Sequence, residues 1–259
     1  FVGLCALQQF LHLALAIFDE TLHYVRPQDR KLLFSPLSIY QNMTDVLPKI
    51  TRLCVFPQLC YTGAITKTGR VLMDLMQELA AYRPWNEQEE RDRAELLRRL
   101  GSGEELYSRD NASAHLTASA WVVSPDRTQV LLAYHNLYDS WAWLGGHADG
   151  DRDLPAVALR EVREESGLTE VRPVSDRIYS LEILTVDGHE KRGRYVSSHL
   201  HLNVTYLLEA DPAAPIRPKP DENSRVGWFS LDDAIAASNE PWFRERVYKK
   251  LNEKLKNFC

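Results

Sequence analysis

The 259-residue chain reads as an α/β protein in three layers, α/β/α, preceded by helices at the N-terminal side. Two observations carry this. Strand-like runs rich in β-branched and aromatic residues lie on both sides of one helical segment, residues 154–166, that bears clustered carboxylates. A second amphipathic helix follows the last strand, so a sheet can be covered on both faces.

Taken in order, residues 73–100 read as helix, with Leu75, Leu79, Leu96, Leu97 and Leu100 as apolar anchors. Pro84 divides the stretch in two, and Gly101-Ser102-Gly103 ends it. A further short helix is expected before Asn111. The runs His115 to Val123 and Thr128 to Tyr134 alternate as strands around a Ser124-Pro125-Asp126 turn. Trp141-Ala142-Trp143-Leu144 then leads into Gly145-Gly146. Asp153 is placed to cap the next helix, Pro155 suits its first turn, and Gly167 suits a left-handed stop. Leu154, Val157, Ala158, Leu159 and Val162 give that helix an apolar side. Ile178 to Val186 and Ser198 to Leu208 read as strands around an Asp187-Gly188 turn and a polar loop. A proline-rich connection, Asp211 to Pro220, precedes a last strand at Val226 to Phe229. Helices at Leu231 to Ala237 and Trp242 to Lys256 close the chain.

Composition bounds the function. Hydrophobic and charged residues make up 44% and 26% of the chain, ordinary values for a globular protein. A net charge of −5 without any basic run argues against nucleic-acid binding. The four cysteines, Cys5, Cys54, Cys60 and Cys259, show neither CxxC pairing nor metal-ligand spacing with histidine, which fits a reducing cytoplasm. Residues 1–72 differ from the rest: seven Lys/Arg against four Asp/Glu, and three of the four cysteines. The apolar run Phe1 to Phe18 lacks a basic leader and is interrupted by Gln8, Gln9 and His12, a poor signal peptide and a marginal membrane span. The expectation is an extension of doubtful function over 1–72, a helical lead-in over 73–112 and the functional domain over 113–259. An accessory helical domain is the rival reading for 1–72, and Met73 or Met76 could serve as a natural start.

The most informative stretch is Arg160-Glu161-Val162-Arg163-Glu164-Glu165-Ser166-Gly167-Leu168. Glu161, Glu164 and Glu165 stand at i, i+3 and i+4, one helical face. Crowded carboxylates repel unless a positive charge joins them, and a hard divalent cation with oxygen ligands answers that need. The plainer reading is a solvated face balanced by Arg160 and Arg163.

The segment Gly146 to Leu168 resembles the Nudix box, G-x5-E-x7-R-E-U-x-E-E-x-G-U with U aliphatic. Gly146, Arg160, Glu161, Val162, Glu164, Glu165, Gly167 and Leu168 match it. The first glutamate of the pattern falls on Arg152, between Asp151 and Asp153. The resemblance implies a Nudix-type α/β/α sandwich with a mixed central sheet. It further implies metal-dependent hydrolysis of a pyrophosphate bond in a nucleoside diphosphate linked to another group. Mg²⁺ or Mn²⁺ would be the cofactor and a small nucleotide-like molecule the substrate, with no membrane or nucleic-acid partner; a homodimer stays open.

On that resemblance Glu161, Glu164 and Glu165 are expected as metal ligands, with the Gly145 carbonyl as a fourth; Glu161 or Glu165 would also handle the attacking water. Arg160 is expected to pair with a carboxylate and hold the loop. Glu222, six residues before Trp228, is a further catalytic candidate, or else a solvated loop acid. His147 would touch substrate phosphate or brace the loop. His199 and His201 share a strand face and would line the substrate pocket, or sit on a solvated sheet. Trp141 and Trp143 would stack on a base or serve as core aromatics. A non-catalytic nucleotide-binding module is the alternative function, opposed by the intact trio of glutamates. An isomerase of the isopentenyl-diphosphate type is set aside, because residues 73–258 contain no cysteine.

Overall fold

A computed structural model describes residues 74–191 and 193–257. The expectations for residues 1–72, and all four cysteines, lie outside the described residues.

Helices α1 (Leu75–Ala81) and α2 (Glu87–Gly101) fall on either side of Pro84. The Asn86 side chain caps α2 by accepting from Glu89 N at 3.0 Å. The short helix expected before Asn111 is not formed. Backbone carbonyls there go to other parts of the chain: Leu106 O accepts from Leu116 N and Tyr107 O from Gly150 N. Asn111 Oδ1 meanwhile accepts from the backbone of Ser113 and Ala114. With its carbonyls spoken for, the segment has no i→i+4 ladder to propagate.

The core is an eight-stranded sheet. Strand β1 (Ala114–Val123) is buried along its whole length. On one edge it runs parallel to β9 (His199–Ala210), from Ala114↔Leu200 to Val123↔Glu209. On the other edge it pairs antiparallel with β4 (Leu144–His147) and, at its far end, with β2 (Gln129–His135). Strands β3 (Ser140–Ala142) and β10 (Asn223–Ser230) extend from β2, whereas β5 (Val171–Pro173) and β6 (Ser180–Val186) extend from β9, all antiparallel. One parallel pair among antiparallel ones makes the sheet mixed, as expected. The polar loop after Gly188 contains a separate hairpin, β7 (His189–Lys191) and β8 (Arg194–Val196).

Alternation along β1 sends successive side chains to opposite faces. Leu116, Ala118, Ala120 and Val122 join a core with Leu75, Leu79, Leu96 and the apolar side of helix α3 (Leu154–Ser166). Trp121 and Val123 face the other way, against helix α4 (Leu231–Ala237) and the closing helix. That closing helix passes through a π-helical turn, Phe243–Tyr248, into α5 (Lys249–Lys256), and buries Val247, Tyr248, Leu251 and Leu255. Each fully buried aliphatic side chain here contributes about 1.5–3 kcal/mol over its exposed form. Three layers result, with α3 and the closing helix on opposite faces of the sheet. The β1 face that carries Trp121 begins with polar residues: His115, Thr117 and Ser119 are all buried.

Candidate active site on the glycine strand and helix α3

Helix α3 starts and stops where its local chemistry requires. Asp153 accepts from Ala156 N at 3.2 Å, proline stands in the first turn, and Gly167 closes the helix at φ +69°. The apolar residues Leu154, Val157, Ala158 and Val162 clamp it to the sheet. This fixes one arc of the helix against β4, and Glu161 and Glu165 lie on that arc.

Each glutamate of the trio is held by a different donor. Glu165 is 7% exposed, and its Oε2 accepts from Gly145 N at 3.0 Å. Burial pushes its carboxyl up to about 8, opposed by that N–H and reinforced by the charges of Glu161 and Glu222. Glu161 lies flat on the glycine strand: a Cβ at Gly146 would stand 2.5 Å from its Cδ. Burial raises its pKa as well, while Arg160 Nη2 donates to Oε1 at 3.1 Å. Glu164 points outward to Lys219 Nζ at 3.2 Å, and Lys219 also holds Glu222 at 3.0 Å. Arg160 further approaches Asp151 at 3.6 Å and Glu164 at 3.9 Å, so it pairs with carboxylates as anticipated.

The donor set fits a hard divalent cation. Glu161 and Glu165 present carboxylate oxygens from one helix arc beside the glycine strand, the donor type that a hard divalent cation takes. Gly146 leaves room that any side chain would fill. Arg152, at the first-glutamate position of the box, turns away: its guanidinium lies 4.5 Å from the Tyr107 ring centroid and 3.7 Å from Glu105. Of its acidic neighbours, Asp153 is committed to the cap and Asp151 to Arg160.

Lys219 was not anticipated. Its signal in the sequence is slight: a lysine between two prolines, three residues before Glu222.

The histidines are brought together more closely than strand alternation alone suggests. His147 ends β4 opposite Thr117, and His201 pairs in register with His115. His147 Nε2 and His199 Nε2 each lie 3.2 Å from His201 Nε2. His115, read from sequence only as the start of a strand, completes the group. Its ring centroid is 5.1, 4.9 and 5.2 Å from those of His147, His199 and His201. Among the described residues, the metal-capable trio whose donor atoms lie within 4.8 Å of one another is His115, His147 and His201, not the glutamates. The reading of His199 and His201 as a solvated face gives way to this packed cluster.

Further along the same face a buried polar file continues. Thr117 and Ser119 donate to Asn203 Oδ1, and Asn203 donates to Glu182. Glu182 meets Lys250 at 2.9 Å, and Glu89 meets Lys250 and Lys254 at 3.2 and 2.7 Å. Trp141 and Trp143 pack against the core under the closing helix, Trp141 edge-on to Phe229 at 4.7 Å. Their place is with the core aromatics.

A three-layer sandwich whose glycine strand abuts an R-E-V-R-E-E helix defines a hydrolase of the Nudix class. The NUDIX domain model matches residues 114–251. The chain belongs to the Nudix family and is a pyrophosphohydrolase. Solved structures of similar fold include an Ap4A hydrolase binary complex from C. elegans (18% identity, 55% of this chain and 98% of that one, TM-score 0.39). A NUDIX-family hydrolase from Clostridium perfringens (21%, 54% and 97%, 0.38) is another. The E. coli dihydroneopterin triphosphate pyrophosphohydrolase (15%, 56% and 97%, 0.41) is a third. No curated protein matches the chain. No helix among the described residues is long and apolar enough to cross a membrane.

Proposed function

We propose that this Nudix hydrolase cleaves a nucleoside diphosphate-X compound, a small nucleotide-like molecule, with Mg²⁺ or Mn²⁺ held by Glu161, Glu164, Glu165 and the Gly145 carbonyl. The observation that carries this reading is the buried Glu165 carboxyl docked on the Gly145 N–H at 3.0 Å, an oxygen donor held in a dry site beside a glycine strand. When bound, the metal neutralises phosphate oxygens and lowers the pKa of water. The chain's own residues do the rest. Glu161 or Glu165 would orient the attacking water or take its proton. Arg160 braces Glu161 and the loop at Asp151. Lys219 keeps Glu164 and Glu222 together, which makes Glu222 a second candidate base despite its distance along the chain.

Substrate choice belongs to groups outside the box. His147, next to the glycines, and His199 and His201 on β9 are candidates for that task. A panel of nucleoside triphosphates, dinucleoside polyphosphates, ADP-ribose and sugar nucleotides, incubated with Mg²⁺ and read by product identity, tests the proposal. Metal-dependent release of a nucleoside monophosphate or of pyrophosphate from one class supports it. Turnover of none of them, with the fold intact, overturns it.

A further inference from the structure

The imidazole cluster on the far side of the glycine strand takes no part in the attack of water proposed above. Gly146 faces Glu161, because a Cβ there would strike that carboxylate. Alternation along β4 therefore sends His147 to the opposite face, where it sits opposite Thr117. The cluster is thus a separate centre, one strand removed from the glutamates.

The hydrogens do not balance within it. In a neutral imidazole one nitrogen carries hydrogen and the other a lone pair. His115 Nδ1 lies 3.0 Å from Asn111 O and His199 Nδ1 lies 2.8 Å from Ser197 O. Carbonyls only accept, so both Nδ1 atoms carry hydrogen, and in a neutral ring the Nε2 atom is then bare. His115 is 4% exposed, and its Nε2 has no hydrogen-bond partner among the described residues. His201 Nε2 stands 3.2 Å from both His199 Nε2 and His147 Nε2. A single hydrogen on His201 can serve one of them well. Without that hydrogen, the lone pairs of His199 and His201 confront each other.

A buried orphan nitrogen and an excess of lone pairs cost free energy unless a further positive centre joins them. The Nδ1-to-carbonyl bonds of His115 and His199 are the arrangement that orients metal-bound imidazoles. Tetrahedral zinc with nitrogens at about 2.0–2.1 Å spaces those nitrogens roughly 3.3 Å apart. The 3.2 Å separations found here are close to that spacing.

We propose that His115, His147 and His201 form a second metal site, with His199 at the fourth position, for a borderline transition cation of the Zn²⁺ class. Imidazole nitrogen favours such ions, whereas Mg²⁺ and Mn²⁺ prefer carboxylate oxygen. The two centres therefore sort different metals across one strand. His199 is the outermost ligand, on the sheet side toward the β7–β8 hairpin, where the His189 ring lies 6.3 Å away. Displacing it would open a coordination position facing that side.

The test uses the full chain, stripped of metal with a chelator and titrated with Zn²⁺ by calorimetry and with Co²⁺ by visible absorption. One equivalent should bind, with the intense ligand-field bands of a four-coordinate Co²⁺ nitrogen site. His147→Gln and His201→Gln should each weaken Zn²⁺ binding about 100-fold or more, exceeding what loss of a ligand's supporting hydrogen bond costs. Glu164→Gln, which alters only the carboxylate centre, should leave the Zn²⁺ isotherm unchanged. Should a histidine variant fail to fold, side-chain nitrogen NMR of the unaltered protein decides the matter, since the Nε2 resonances must shift on adding Zn²⁺. Absence of stoichiometric Zn²⁺ binding, unshifted imidazole resonances, or binding lost in Glu164→Gln but kept in His201→Gln would each overturn the proposal. Because these readouts need no substrate, they stand apart from the hydrolase assay.

Discussion

Glu165 Oε2 accepts a hydrogen bond from the Gly145 N–H at 3.0 Å, across twenty residues of chain. That contact ties helix α3 to the strand before it and sets where the other two acids of the box can reach.

Glu164→Gln should cut turnover on the order of 100–1000-fold, because losing this proposed anionic metal ligand would remove several kcal/mol of charge stabilisation. Its half-exposed position, held by Lys219, means the fold should survive. Steady-state kinetics with Mg²⁺ and a thermal melt check both halves. Near-normal hydrolysis would make the acid structural.

Gly146→Ala should act on Glu161. The new Cβ would lie 2.5 Å from Glu161 Cδ, so that carboxylate must move. Displacing a reacting or metal-holding group by about 1 Å costs on the order of 100-fold in rate. The loss should appear in kcat, with circular dichroism unchanged.

Gly167→Ala should act on stability. At φ +69° a side chain costs about 1–2 kcal/mol, and the Cβ would stand 2.4 Å from Arg217 Cγ. Urea unfolding should show that loss while the variant keeps its catalytic rate. An unchanged midpoint would mean that the helix end readjusts without cost.

Glu89 governs acid stability. Burial pushes its carboxyl up, but Lys250 and Lys254 outweigh burial and hold it near 2 against an ordinary 4.5. A depressed carboxylate stabilises the fold fully above its unfolded pKa, so this contribution should fade as pH falls from about 4.5 towards 2. Glu89→Gln takes a charge partner from buried Lys250 and mostly buried Lys254 and should cost about 3–5 kcal/mol at neutral pH. Unfolding of both proteins across that pH range is the check. The variant should show the flatter profile.

A chain beginning at Met73 should fold and hydrolyse substrate as the full chain does. Loss of either property would assign a working role to residues 1–72.

Much of the helix-and-glycine unit was legible because its signals are local. Asp153, Pro155 and Gly167 mark the helix ends within a few residues, and the spacing of Glu161, Glu164 and Glu165 is a short-range pattern. The long strands β1, β2, β6, β9 and β10 were legible for the same reason, since alternation needs only neighbours, whereas the three-residue strands β5, β7 and β8 are too short to show a period. What escaped was set by long-range pairing. Lys219 meets Glu164 from 55 positions away, and nothing near it in the chain forecasts that contact. His115 joins His147 and His201 only because β1 lies between β4 and β9. The irregular stretch after Gly103 was misread as helix because the partners of its carbonyls, Leu116 N and Gly150 N, belong to other segments.

The parallel pairing of β1 with β9 also has a kinetic side. Thr117 and Asn203, joined across it, are 86 positions apart, and a parallel pair cannot form through a tight hairpin. The central strand must therefore wait, on the ribosome or in refolding, for a partner made long after it. High contact order of this kind slows folding and leaves apolar strand edges open to other chains in the interval. Yield at low temperature and low protein concentration should accordingly exceed yield under crowded, rapid expression.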